Sequence, residues 1–101
     1  MNLLCFYVSE KQRHAGQPVY EWLLAQAQSQ GIRGGSAFRS IAGFGRHGKL
    51  HEETFFELAG ELAVKVEFVL DDVHIEQFLD LLHGEALEIF YLRQPVEFAK
   101  T

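Results

Sequence analysis

Residues 63–72, AVKVEFVLDD, decide the fold class of this chain. Valine, phenylalanine and leucine alternate with a lysine and a glutamate, and this two-residue period is typical of a strand with one buried face. Asp71 and Asp72 follow at once, and such carboxylates accept hydrogen bonds from the free N–H groups at a helix start. The stretch therefore predicts a half-buried strand, Ala63–Leu70, that leads directly into a helix.

The N-terminal part repeats this plan. Leu3–Val8 has the apolar character of a buried central strand, and the polar stretch Ser9–Gln17 is predicted to be a loop. Pro18 suits the first position of a helix, and Gly31 is expected to end that helix. Its apolar stripe, spaced i, i+3, i+4 and i+7, consists of Tyr20, Leu23, Leu24 and Ala27.

The remaining segments complete a β-α-β-β-α-β order. Ser36–Phe44 is predicted to be extended, and Leu50–Leu58 to be an extended arm or, alternatively, a short helix. The second helix is expected to end with Gly84 as its C′ residue. Leu87–Leu92 is the predicted last strand, and Val96–Phe98 a short edge piece. This order predicts one α+β domain over 1–101, a ferredoxin-like sandwich with two helices on one face of an antiparallel sheet.

Composition narrows the function classes. The chain has 101 residues, of which 48% are hydrophobic, as expected for one globular domain. Asp and Glu outnumber Lys and Arg by 14 to 9, giving a net charge of −5. Because nucleic-acid binding needs a basic face to neutralise phosphates, this balance argues against a nucleic-acid partner. No apolar run is long enough to span a bilayer, and no secretory signal is evident, so we expect a cytoplasmic protein.

No catalytic arrangement is evident. Cys5 is the single cysteine and lies in the first apolar run, so it is interpreted as a buried hydrophobe rather than a nucleophile. A disulfide within the chain is excluded. No Ser-His-Asp or Cys-His pattern can be assigned, and we expect a protein that is not an enzyme.

The candidate ligand site is a glycine-rich segment. Its glycines, Gly43 and Gly45, allow close approach to the main chain, and Phe44 lies between them. Arg46 and Lys49 add positive charge, a combination suited to an anion such as phosphate. The alternative is a hairpin turn with solubilising charges, and the pattern alone favours that alternative.

Three further residues are candidate ligand contacts. Arg13 and His14 lie in the first predicted loop, where they either contact an anionic ligand beside the glycine-rich segment or are simply solvated. Arg39 lies within a predicted strand, where a guanidinium needs a carboxylate or a ligand to offset its desolvation. An ion pair with Glu67 or Glu88, across the sheet or across a subunit interface, is the favoured interpretation for Arg39.

Five histidines raise the alternative of a metal site. His47 and His51 are four residues apart, and Glu52 or Glu53 would add a carboxylate ligand. Nothing like His-Glu-x-x-His is present, and isolated histidines are usually not ligands.

The chain resembles the PII signal-transduction family, and its N-terminal half is still closer to a bacterial PII-like family of unknown function. The motifs shared with PII are Gly43-Phe44-Gly45-Arg46, Val64-Lys65-Val66-Glu67 and Asp71-Asp72. Those shared with the second family are Ser9-Glu10, Arg13-His14, Gly16, Pro18, Tyr20-Glu21, Phe38-Arg39, Ile41 and Gly43-Phe44-Gly45.

This resemblance implies a homotrimer with small-molecule sites in the clefts between subunits. In PII proteins those sites take adenine nucleotides, and a long loop after the Gly-Phe-Gly-Arg run docks onto a target protein. Two departures argue against strong triphosphate binding of the PII kind and leave a smaller or less charged ligand open. Ala63 stands near the position of a phosphate-binding lysine, and the loop before the last strand shrinks to His83-Gly84-Glu85-Ala86.

Two hypotheses follow. The first is a PII-like regulator that binds a metabolite or nucleotide effector and modulates a partner, either a regulated protein or a membrane transporter. The second is a trimeric divalent-metal-binding or structural module of the copper-tolerance type, which shares the trimeric fold.

Overall fold

The computed structural model describes residues 1–43 and 63–101. The elements in these residues are β1 Asn2–Ser9, β2 Arg13–His14, β3 Gln17–Pro18, α1 Val19–Ser29, β4 Ser36–Arg39, β5 Ala63–Leu70, α2 Asp72–Gly84 and β6 Phe90–Pro95.

A four-stranded sheet carries the fold. In the described residues its order is β4-β5-β1-β6, and every neighbouring pair is antiparallel. Both helices contribute buried side chains to one cluster with alternate residues of β1 and β5. The predicted α+β class with a ferredoxin-like arrangement is therefore confirmed.

The alternation predicted for β5 determines where the core lies. Its buried side chains are Val64, Val66, Phe68 and Leu70. The residues between them, including Lys65 and Glu67, belong to the opposite face of the sheet, which no described helix covers. We call this the open face.

The start of α2 follows the sequence closely. The Asp71 side chain is the N-cap and accepts a hydrogen bond from the backbone N–H of His74 at 2.8 Å. Asp72 is the first helical residue and accepts hydrogen bonds from Arg93 and Asn2. The predicted helix start is confirmed.

The two helices end in the same backbone motif with different residues. Gly31 follows α1 with φ +84°, and the N–H groups of Gly31 and Ile32 donate to Gln28 and Ala27. After α2 the equivalent left-handed residue is Ala86, with φ 57°. The prediction of Gly84 as C′ residue was wrong, because two more residues join the final turn before the chain reverses.

The predicted loop 9–17 contains a small hairpin. β2 pairs with β3 through Arg13↔Pro18 and His14↔Gln17. Ala15 and Gly16 connect the strands and both have positive φ, which is the geometry of a type I′ turn. Pro18 closes this hairpin, and α1 begins one residue later, at Val19.

The last strand is displaced from its predicted position. β6 pairs with β1 from Tyr7↔Phe90 to Asn2↔Pro95, rather than over 87–92. Leu87 and Ile89 instead pack against the core from the loop, which explains their apolar character. The predicted edge piece at 96–98 is not a strand.

The second predicted strand is shorter than expected, since β4 ends at Arg39. Its predicted end at Phe44, and the arm or helix predicted at 50–58, lie outside the described residues.

Candidate functional site

Half of the predicted ligand residues can be placed. Gly43 is described and exposed, whereas Phe44, Gly45, Arg46 and Lys49 lie outside the described residues. The glycine-rich segment therefore stays a prediction.

Arg13 lies at the start of the small hairpin, where its guanidinium Nη2 donates a 2.8 Å hydrogen bond to the carbonyl of Gly16. This bond spans the turn through Ala15, whose φ is positive. In this structure the Arg13 side chain therefore stabilises the turn of the hairpin.

His14 connects the hairpin to the end of α2. Its Nε2 lies 2.8 Å from Oε1 of Glu85, the C-cap residue of that helix. Its ring meets the Trp22 ring edge-on, with centroids 4.8 Å apart. Trp22 is a core residue, so His14 is held in place by packing as well as by the carboxylate.

Arg39 is paired, but with a carboxylate that the sequence did not indicate. Its Nε donates to Oε2 of Glu10 at 2.7 Å, so the predicted pairing with Glu67 or Glu88 was wrong within the chain. The predicted pairing across a subunit interface stays a prediction. Glu67 lies on the open face, whereas Arg39 stands opposite Val64, whose side chain faces the helices. Glu88 precedes β6, at the opposite edge of the sheet.

The structure places a groove elsewhere, at the end of the sheet where β5 meets α2. It has a volume of about 760 Å³. Its walls are the loop between α1 and β4, the last part of β5, the first turn of α2 and the two chain ends. The lining residues are Met1, Gly31, Ile32, Arg33, Gly34, Gly35, Ser36, Glu67, Phe68, Val69, Leu70, Asp71, His74 and Phe98.

Two hydrogen bonds determine where the main-chain groups of β5 point. In an antiparallel sheet the N–H and C=O of one residue point to the same neighbouring strand, and successive residues alternate. The N–H of Ser40 donates to the carbonyl of Ala63 at 2.8 Å, so Ala63 and every second residue after it point toward β4. The bond from the Val96 N–H to the Met1 carbonyl, at 3.1 Å, gives the same assignment through β1. Met1 points toward β6, so Asn2 points toward β5 and its partner Leu70 points toward β1, which leaves the preceding residue of β5 pointing toward β4.

The N–H and C=O of Val69 consequently point toward the side of β5 where β4 lies, but at a level of the sheet that β4 does not reach. Pairing of β4 with β5 begins at Ser36, opposite Glu67, and the same register would place Gly34 opposite Val69. The loop leaves the sheet there, and within residues 1–43 and 63–101 nothing pairs with Val69 on this edge. Since Val69 lines the groove, one donor and one acceptor face it.

Charged side chains of both signs surround this donor–acceptor pair. Arg33 makes no ion pair with any residue that the structure describes, while His74 Nδ1 lies 2.8 Å from Asp71 Oδ1. The backbone N–H of His74, and next its side chain, lower the pKa of the Asp71 carboxyl. This favours the ionised form of Asp71, and Arg33 is a cation of the groove that has no carboxylate partner among the described residues.

Glu67 reaches the groove from the open face. Its Oε2 lies 3.3 Å from Lys65 Nζ, and a hydrogen bond with this carboxylate raises the pKa of Lys65. Cys5 Sγ lies 3.7 Å from the same oxygen. Burial in the first place, and Glu67 in the second, raise the pKa of the Cys5 thiol.

None of the four predicted ligand residues that the structure describes lines the groove. The sequence analysis interpreted Gly34 and Gly35 only as the beginning of a strand, although glycines at Gly31, Gly34 and Gly35 leave little side-chain bulk in that loop. This cluster of glycines was the feature of the sequence that could have indicated the groove. The unpaired edge at Val69 had no sequence signal, because it depends on where β4 joins the sheet.

The described residues contain no group of three or more His, Cys, Asp or Glu side chains arranged to hold a metal ion. Neither described helix combines the length and apolarity needed to cross a membrane.

Comparison with known proteins places the chain among relatives of unknown function. The model of the DUF190 family, described as "Uncharacterized ACR, COG1993", matches residues 1–98. The chain belongs to the DUF190 family. A UPF0166 protein of Aquifex aeolicus (strain VF5) is 33% identical over 99 residues, covering 90% of this chain and 94% of the relative. The predicted membership in a family of unknown function is confirmed, whereas the predicted relation of that family to PII proteins stays a prediction.

Proposed function

We propose that this DUF190 protein is a PII-like regulator rather than an enzyme. It binds a small metabolite or nucleotide effector in the groove beside Val69 and modulates a partner protein or membrane transporter. The observation that carries the proposal is the unpaired N–H and C=O of Val69 facing the groove.

The size of this open edge favours a small molecule over a peptide. An added peptide strand needs several successive main-chain pairs, whereas β5 offers Val69 alone between the end of β4 pairing and the start of α2. A groove of about 760 Å³ lies within the range of small-molecule sites. An adenine nucleotide presents both a base edge for Val69 and an anion for Arg33.

The groove is connected along the chain to the glycine-rich segment. Ser36 lines the groove, β4 begins at that residue, and the strand leads within the next few residues to Gly43. A ligand that prefers one position of β4 changes the populations of the segment after Gly43 through its differential affinity. This is the route by which an effector would reach a docked target.

The proposed assembly is a homotrimer formed through the open face. Phe38, Phe90 and Leu92 are on this face and are 50%, 46% and 55% exposed. These apolar groups lie on both edge strands of the sheet, and removing them from water is favourable, which supports self-association through this face. The trimeric order itself is taken from the resemblance to PII proteins.

The divalent-metal alternative depends on His47 and His51, which lie outside the described residues. No observation in the described part favours it. It is tested in the same experiment, by adding divalent cations without nucleotide.

The test is a thermal-shift and calorimetric screen of the full chain against ATP, ADP, AMP, adenosine and divalent cations. A ligand at a hundred times its dissociation constant should add about 2.7 kcal/mol to the free energy of unfolding. Gly34→Phe should abolish this shift by filling the groove, because Gly34 lines the groove and a Cβ there meets nothing within 4 Å. A thermal melt of the variant without ligand checks that it is folded.

Gly84→Phe is the matched control. Gly84 also has open space around its Cβ, but it does not line the groove, so ligand binding should be unchanged. Equal loss of binding in both variants, or full binding in Gly34→Phe, would show that the groove is not the site. Absence of any shift with all these compounds contradicts nucleotide binding itself.

A further inference from the structure

The C-terminal segment after β6 forms one wall of the groove. The N–H of Val96 donates to the carbonyl of Met1, and the chain then continues without secondary structure to Phe98. Met1 and Phe98 both line the groove. Met1 and the segment after β6 thus lie together at the groove that Gly34 also lines.

Phe98 presents an aromatic ring that the described fold does not use. The residue is 68% exposed, and its ring contacts no other aromatic ring among the described residues. Met1 is also exposed at this groove, at 52%, but it has no aromatic ring, and the exposed Val73 is not among the lining residues. An uncovered aromatic ring at a groove wall offers a flat face for stacking.

We infer that Phe98 is a ligand-stacking residue and that the ligand of this groove carries a planar nitrogen heterocycle. The inference rests on the proposed function and specifies its ligand class. The main-chain N–H and C=O of Val69 select a ring edge with an acceptor next to a donor, because both groups lie in the plane of the sheet. Phe98 then covers the face of that ring, which hydrogen bonds leave exposed to water.

The attachment of the segment suits this role. One main-chain hydrogen bond, from Val96, is the described link between the segment and the sheet beyond β6. Phe98 follows two residues later, so rotation about the intervening backbone moves the ring without breaking the pairing of β6 with β1. The ring can therefore adjust to the face of a bound ligand while the sheet keeps its pairing.

The test measures binding of adenosine, guanosine, cytidine and ribose to four proteins by titration calorimetry: wild type, Phe98→Ala, Phe98→Leu and Phe98→Trp. Base–aromatic stacking predicts that Phe98→Ala weakens nucleoside binding by roughly 5- to 150-fold. Phe98→Leu should be intermediate, and Phe98→Trp should bind as tightly as wild type or tighter. Ribose should bind none of them measurably.

Two controls separate stacking from unspecific effects. Phe90→Ala removes an aromatic ring of 46% exposure that does not line the groove, and its nucleoside affinity should equal that of wild type. Fluorescence of Phe98→Trp in a Trp22→Phe background reports ring contact directly, since nucleoside stacking quenches the emission. Thermal melts of each variant verify that it is folded.

The outcomes distinguish this inference from the proposed function. If Phe98→Ala binds nucleosides within twofold of wild type while Gly34→Phe does not bind, the groove is a site but Phe98 does not stack, and the inference is wrong. If wild type binds ribose as tightly as it binds the nucleosides, the assignment of a heterocyclic ligand is wrong. If wild type binds no nucleoside and the tryptophan emission is unchanged, the inference and the nucleotide part of the proposed function both fall.

Discussion

Gly35 lies directly against the ring of Phe68. A Cβ at Gly35 would stand 2.3 Å from Cε1 and 2.5 Å from Cδ1 of that ring. Phe68 is 2% exposed and meets Phe6 and Phe78 edge-on, with centroid distances of 6.3 and 5.7 Å. Because three packed rings share this region of the core, the Phe68 ring has little freedom to move, and only glycine fits beside it.

We expect Gly35→Ala to lower the free energy of unfolding by about 1–3 kcal/mol, as overpacking of a filled core does. The added methyl group must push either the Phe68 ring or the loop that lines the groove. Urea denaturation followed by circular dichroism measures the change.

Gly34→Ala is the matched control for this prediction. Gly34 is the preceding residue, and a Cβ there meets nothing within 4 Å. The free energy of unfolding of Gly34→Ala should stay within about 0.5 kcal/mol of the wild-type value. Equal destabilisation of both variants would contradict the packing argument and indicate a general effect of glycine replacement in the loop.

The two helix ends predict substitutions of opposite sign. Gly31→Ala places a side chain at φ +84° and should cost about 1 kcal/mol, whereas Ala86→Gly removes one from φ 57° and should add about 0.5–1 kcal/mol. For a domain of this size, 1 kcal/mol corresponds to about 4–8 °C in Tm. Thermal melts of both variants and of the double variant test this. Destabilisation by Ala86→Gly would contradict the prediction. It would mean that the methyl group of Ala86 stabilises the folded chain by more free energy than the left-handed backbone at this residue costs.

Acid stability should depend on Asp71. The pKa of its carboxyl is lowered in the folded chain, first by the backbone N–H of His74, from an ordinary value of 3.8. Between the folded pKa and 3.8, the unfolded chain binds a proton at Asp71 that the folded chain does not. The contribution of the ionised Asp71 to the free energy of unfolding is therefore fully present above about pH 4 and is lost as the pH falls through the folded pKa.

Asp71→Asn keeps a side-chain oxygen that can cap α2 but removes the titrating group. We expect urea midpoints measured from about pH 2 to 6 to fall less steeply toward acid in this variant, with little change at neutral pH. Asp80→Asn removes a carboxylate from the same helix without changing the cap, so it separates the loss of one negative charge from the loss of the capping carboxylate. An Asp71→Asn slope equal to that of wild type would contradict the argument.

The proposed homotrimer predicts a change of molecular mass on substitution of the open face. Leu92→Glu places a carboxylate beside Cys5 on this face, and its desolvation would oppose burial between subunits. Light scattering should give about three times the chain mass of 11.5 kDa for wild type and a smaller species for Leu92→Glu.

Val73→Glu is the control for assembly, because Val73 is 63% exposed on α2 and does not belong to the open face. It should scatter like wild type. A wild-type mass of one chain at all concentrations would rule out the trimer.

Periodicity predicted the strand and helix that carry the core. The alternation in β5 and the cap at Asp71 are properties of a few neighbouring residues, and the structure has both as predicted. The same reasoning misplaced β6, because Leu87 and Ile89 are apolar for packing against the core from a loop rather than for pairing. The pattern of apolar residues does not distinguish these two uses.

The site residues were harder to predict than the fold. The sequence indicated that Arg39 needs a carboxylate, but Glu10 became its partner because the first turn of the chain reaches the end of β4. The groove was missed altogether, since Phe98 and Gly34 are far apart in sequence and meet through the register of the sheet.

Local order along the chain was enough to determine the α+β class, the direction of each buried face, the N-cap of α2 and the glycine that ends α1. Backbone hydrogen bonding and side-chain burial repeat over two to four residues, so neighbouring residues encode them. The tertiary structure decided which edge of β5 remains unpaired at Val69 and which carboxylate Arg39 meets. These features depend on strand register and on contacts between distant segments, where the free energy of packing the whole core selects the arrangement.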